Sequence, residues 1–149
     1  MLKNHITALA SCVALLFGAT ACGPALVIQN VDYSQPVESV LSPASDHSVQ
    51  DLRYAVSFSI QSILEEEGVD SVSEIRLIRG HKGYYFVTAS GFSNVYVFEP
   101  GESELQLKTI INVAEEGLGQ PAFNQRGDHI ELIDRATGQT TLVTEEGIR

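Results

Sequence analysis

The chain has 149 residues, 44% of them hydrophobic, with 9 Lys and Arg against 19 Asp and Glu, a net charge of −10. That length suits one domain with a core of its own. The acidic balance excludes nucleic acid and broad attraction to anionic lipid headgroups, since both require a positive surface.

The first predicted element is an export signal. Lys3 precedes an apolar run from Ile6 to Phe17, and Gly18-Ala19-Thr20-Ala21 supplies the small residues of a cleavage site. Thr7 and Ser11 interrupt the run, which falls short of the roughly 20 apolar residues of a membrane span. Residues 1–21 therefore read as a signal peptide. Ala19-Thr20-Ala21-Cys22 resembles the lipobox of bacterial lipoproteins, with Ala19 where that family usually has Leu. The resemblance implies cleavage before Cys22 and acyl chains, palmitate among them, on that residue. Ordinary cleavage after Ala19-x-Ala21 would cut the same bond and leave Cys22 as a free, oxidisable terminal thiol. Cys12 departs with the signal, so the mature chain keeps one cysteine and forms no internal disulfide. Loss of Lys3 leaves 8 Lys and Arg against 19 Asp and Glu, hence −11. Membrane attachment must then come from the acyl chains, at about 0.8 kcal/mol per buried methylene. Gly23 stands where an Asp would resemble an inner-membrane retention signal, which implies the periplasmic face of the outer membrane.

Residues 22–45 carry Pro24, Pro36 and Pro43 among several Ser and read as a flexible tether. Leu26-Val27-Ile28 with Val31 is the exception, a short strand or flap. A helix is predicted next. Ser48 and Asp51 match a capping box, and Val49, Leu52, Val56, Ile60, Ile63 and Leu64 recur at three- and four-residue spacing until Gly68. Glu65, Glu66 and Glu67 read as a solvated acidic corner in the last turn, where negative charge opposes the helix dipole.

From Glu74 the period changes to two. Strands are predicted over 74–79, 83–89, 94–99 and 104–111, joined by turns at Gly80-His81-Lys82, Ser90-Gly91-Phe92-Ser93 and Pro100-Gly101-Glu102-Ser103. A loop over 115–120 follows, then Pro121 to Phe123 and a turn at Arg126-Gly127-Asp128. A hairpin of 130–134 and 140–143 closes around Thr137-Gly138, and the tail 145–149 is expected to fray. The expected class is α+β, one amphipathic helix packed on an antiparallel meander of about 5–7 strands in a single domain over 46–144.

Two stretches carry further resemblances. Glu67-Gly68-Val69, Val72-x-x-Ile75-x-Leu77, Gly83-Tyr84-Tyr85-Phe86-Val87 and Val95-Tyr96-Val97-Phe98-Glu99-Pro100-Gly101 resemble the helix-then-three-strand pattern of PepSY domains. That likeness, over Leu52 to Ile110, implies protease inhibition or regulation outside the cytoplasm. Pro121-Ala122-Phe123-x-x-x-Gly127-Asp128-x-Ile130 with Asp134-x-x-Thr137-Gly138 is similar to a blade of the TolB-type propeller. A propeller requires about four to eight blades of four strands, more than this chain can hold. The same residues make an ordinary hairpin.

Tyr84-Tyr85-Phe86-Val87 and Tyr96-Val97-Phe98 are apolar on both faces, whereas one helix covers one. If Tyr85, Val87, Val95 and Val97 meet the helix, then Tyr84, Phe86, Tyr96 and Phe98 face away as a candidate partner surface. Cover by Leu26 to Val31 and the C-terminal hairpin is the alternative. Arg76, Arg79 and Lys82, beside His81, form a candidate anion contact. His47, His81 and His129 share no metal-ligand spacing. Asp128, Glu131 and Asp134 lie on one predicted hairpin, and no serine sits in a nucleophile elbow. No catalytic residue, metal or cofactor is indicated. The expected function is a lipid-anchored envelope protein, a non-catalytic binding or accessory module for a protein partner. A small apolar-ligand carrier and a PepSY-like protease modulator are the alternatives.

Overall fold

The alternation of apolar residues begins earlier than Glu74. In the computed structural model, which describes residues 37–149, Ser48–Asp51 and Val56–Ser59 are strands β2 and β3 of a hairpin, not the first turns of a helix. The signal peptide, Cys22 and the Leu26–Val31 flap lie outside the described residues. Val49 and Asp51 turn inward, as do Val56 and Phe58, so the residues that fit a helical stripe fit period two as well. The turn breaks the tie. One carboxylate oxygen of Asp51 accepts the N–H groups of Arg53 and Tyr54, and Ala55 sits at φ 54, which no helix allows. The Ser48 cap is absent too, because its N–H and hydroxyl both donate to Asp46.

The helix α1 that remains spans Gln61–Glu67. Gly68 stops it at φ 67, and the N–H of Val69 donates back to the Leu64 carbonyl, a Schellman ending that needs a residue tolerant of the left-handed region. The expected α+β class is therefore overturned. The described chain is 49% strand against 6% helix, and it forms three sheets where one meander was expected.

Strand β1, Ser39–Leu41, opens a five-stranded antiparallel sheet with β4 (Ile75–Arg79), β5 (Tyr85–Thr88), β6 (Asn94–Pro100) and β7 (Leu105–Asn112), in the order β1-β4-β5-β6-β7. Pairing of Ser39 with Leu77 brings residues 39–41 of the expected 22–45 tether into the sheet. Arg53 and Tyr54 fasten its start, both donating to the Val37 carbonyl at 3.1 and 2.7 Å. Between β1 and β4 the chain makes the β2–β3 hairpin and α1, which lie over one face. After β7 it crosses to the other face and forms a four-stranded sheet of β8 (Pro121–Arg126), β9 (His129–Asp134), β10 (Gln139–Thr144) and β11 (Gly147–Ile148). The stretch similar to a propeller blade is thus a single four-stranded sheet. The tail does not fray, since β11 pairs with β10 and the Arg149 N–H donates to the Leu142 carbonyl.

Two cores result, one on each face of the five-stranded sheet. Ile75, Leu77, Tyr85, Val87 and Tyr96 meet Val49, Ile60, Ile63 and Leu64 on one side. Ile78, Phe86, Val95 and Val97 meet Phe123, Ile130, Leu132 and Val143 on the other. At roughly 1.5–3 kcal/mol per fully buried large apolar side chain, both faces contribute heavily to stability. Among the described residues no helix is long and apolar enough to cross a membrane.

Candidate functional site

Period two separates the residues of a strand into two sets, and cross-strand register decides which sets share a face. Here Val87 pairs with Tyr96, Tyr85 with Phe98, and Phe86 with Val97. Tyr96 and Phe98 therefore face α1 and the β2–β3 hairpin, while Phe86 faces the C-terminal sheet. The four expected surface aromatics are divided between the two cores. Phe86 and Tyr96 are 3% and 2% exposed, Phe98 lies near Phe58 with ring centroids 6.2 Å apart, and Tyr84 is half-buried beside the second core, with the Lys108 ammonium 5.0 Å from its ring. They line neither one surface nor one pocket. The expected pairing of Val95 and Val97 with the helix side is reversed for the same reason, a register that the turn between β5 and β6 sets.

The basic cluster is dispersed as well. Arg76 is held between Glu38, at 3.2 Å, and Glu74. Lys82 is paired with Glu145, whose carboxyl that ammonium holds below its ordinary value although burial opposes the shift. Arg79 projects on the opposite face from Arg76 and rests against the Tyr85 ring at 5.7 Å. Three cations with three separate partners make no common anion cradle.

Three carboxylates, Glu67, Asp134 and Glu38, are committed to backbone N–H groups. Glu67 is no solvated corner. It accepts the N–H groups of Ser93 and Asn94, the Asn94 side-chain amide and the Tyr96 hydroxyl at 2.7 to 3.2 Å, tying α1 to the β5–β6 turn. Burial first, and the adjacent Glu67 second, push the Tyr96 hydroxyl far above its ordinary pKa. Asp134 accepts the N–H groups of Gly119, Gln120 and Ala136, which keep its carboxyl below the usual range, the Gln120 contact foremost. Glu38 accepts the Phe123 N–H at 2.7 Å and joins β1 to β8. Asp128, with His129 and then Arg149 as partners, is lowered to about 2. Among the described residues no three His, Cys, Asp or Glu side chains gather as a metal group.

Among several surface grooves of similar size formed by the described residues, one of about 440 Å³ lies between the 113–118 loop and the β9–β10 hairpin. Leu118 and Leu132 form its apolar floor, both almost fully buried. Glu115 and Glu116 stand exposed on one wall, and Thr137, Gln139 and Thr141 line the other. The backbone reason is specific. Gly117 at φ 84 comes so close to Gly91 that a Cβ there would lie 2.8 Å from its carbonyl oxygen, and Leu118 exchanges two backbone hydrogen bonds with residues 91 and 92. This packing pins the loop and turns the two glutamates outward. In sequence, residues 115–120 have only the glycine-rich pattern of a loop. Glu115-Glu116 facing Thr137, Gln139 and Thr141 was not visible there, because the two walls meet only once β7 crosses to the second sheet. No protein-family model, curated protein or solved structure matches the chain.

Proposed function

We propose that the chain is a lipid-anchored envelope protein whose folded part is a non-catalytic binding or accessory module, and that the acidic groove beside the 113–118 loop receives a basic segment of a protein partner. The groove carries the reading. Glu115 and Glu116 on one wall attract Lys or Arg, and Thr137, Gln139 and Thr141 on the other offer hydrogen-bonding side chains to an extended segment, which steers encounter and fixes orientation. An acidic chain with net charge −10 supports a basic partner. The lipobox resemblance at Cys22 supports attachment to the periplasmic face of the outer membrane, and the PepSY resemblance makes an extracytoplasmic protease one candidate partner class.

Two measurements test the proposal separately. Intact-mass analysis reads the anchor, with acyl mass on Cys22 expected and an unmodified thiol opposing it. A photo-crosslinking residue at Gln139, in the envelope-located protein, reads the groove. One discrete adduct is expected, lost when Glu115→Lys and Glu116→Lys are combined, while the same probe at Leu52, which is 85% exposed on the hairpin tip, yields none. An adduct indifferent to charge reversal, or its absence at Gln139, rejects the groove as the docking site.

A further inference from the structure

Gln125 of β8 is 6% exposed, and its side-chain amide nitrogen donates to the carbonyls of Gly127 and His129 at 2.8 and 3.2 Å. Those two acceptors fix the orientation of the amide, since the reverse would set oxygen against oxygen. The side-chain oxygen Oε1 must therefore point the other way. It is fully buried there and accepts a hydrogen bond from none of the described residues.

In that direction is a cavity of about 20 Å³, lined by Gly80, Tyr84, Phe86, Gln125, Ile130 and Val143 among others. Roughly 10–15 Å³ of such space holds one water molecule, so this cavity takes one and no more. Glycine at position 80 creates part of the room. A Cβ there would stand 3.8 Å from Gln125 Oε1, 3.8 Å from the Tyr84 carbonyl oxygen and 3.2 Å from Phe86 Cε2. The Tyr84 carbonyl already accepts the Gly80 N–H at 2.9 Å, which leaves it a second lone pair.

We propose that a single buried water molecule binds in this cavity, donating one hydrogen bond to Gln125 Oε1 and one to the Tyr84 carbonyl, and so joins the β4–β5 turn to β8 across the interface of the two sheets. With it both ends of the buried Gln125 amide are satisfied, the nitrogen by the Gly127 and His129 carbonyls and the oxygen by the water. The site also assigns Gly80 the role of leaving space for the solvent molecule. The Lys82–Glu145 pair lines the same cavity.

A high-resolution crystal structure of the wild-type domain, with water-to-amide NOE measurements in solution, tests this directly. One ordered water within hydrogen-bond distance of both oxygens is expected, with an NOE at the Gly80 amide. Gly80→Ala sets a methyl group in its place and should abolish that NOE while the remaining amide spectrum is kept; Gln125→Met should do the same by removing the acceptor. A donor side chain such as His81 seated on Gln125 Oε1, or no density between the two oxygens, overturns the assignment. Should either variant fail to fold, the wild-type structure alone decides.

Discussion

The two faces of the five-stranded sheet are covered by different means. On one, the cover is small: a two-stranded hairpin and a helix of 7 residues, neither able to hold its shape alone. Its fastenings are correspondingly polar and specific, Glu67 onto the β5–β6 turn and Tyr54 with Arg53 onto the Val37 carbonyl. On the other, a four-stranded sheet satisfies its interior backbone groups through its own ladders and needs only a few ties, Glu38 at one edge and the Lys82–Glu145 pair at another. A cover too short to be cohesive is held by side chains, whereas a sheet is held by itself.

Cavities cut into either core should separate the two covers most clearly. Phe92→Ala, which removes a fully buried ring stacked edge-on to Tyr96 at 6.2 Å, should cost about 3–5 kcal/mol in urea unfolding, and Leu132→Ala about 2–5. Hydrogen exchange should then show α1 and β2–β3 losing protection first in the Phe92 variant while β8 to β10 stay protected. Equal loss over both covers would mean that the faces unfold as one unit and that the contrast has no energetic content.

Next in size is the polar fastening. Glu67→Ala leaves a buried hydroxyl and two backbone N–H groups without their acceptor and should cost about 2–4 kcal/mol, measured by the same unfolding curve. A loss under about 0.5 kcal/mol would show that water replaces the carboxylate and that the small cover needs no such tie.

The C-terminal sheet should carry the acid sensitivity. The folded-state pKa values of Asp134 and Glu145 lie below the ordinary 3.8 and 4.5, so their stabilisation is complete above those values and disappears as pH falls through the lowered ones. Thermal midpoints should hold between about pH 7 and 5 and drop below about pH 4. Asp134→Asn should flatten that drop, and a profile parallel to wild type would exclude Asp134 as its source. The smallest effect belongs to Leu52→Ser, within about 0.5 kcal/mol, because Leu52 is 85% exposed at the hairpin tip. A helix through residues 48–67 would instead bury it and make that change costly, so one denaturation series distinguishes the two structures.

Much of the strand content was legible in the residues. Ile75 to Arg79, Tyr85 to Thr88, Asn94 to Pro100 and Leu105 to Asn112 lie where runs rich in β-branched and aromatic residues between turn signals predict strands, because such side chains favour the pleated backbone locally. Gly68 as the helix stop was likewise local. The hairpin at 48–59 was not, since Val49, Val56 and Ile60 satisfy both periods and only the Asp51 turn, visible in three dimensions, chooses between them. Nor was the face of each aromatic, and with it the candidate site.

From the residues alone came the acidic balance, the apolar run ahead of Cys22, and the segments that form most of the strands. Charge, composition and periodicity are properties of neighbouring residues and need no partner. Only the tertiary structure decided that β1 belongs to the sheet, that Tyr96 and Phe86 occupy opposite cores, and that Glu115 and Glu116 stand across a groove from Thr137, Gln139 and Thr141. Register and layer order arise from contacts between residues far apart in the chain, and no local pattern carries them.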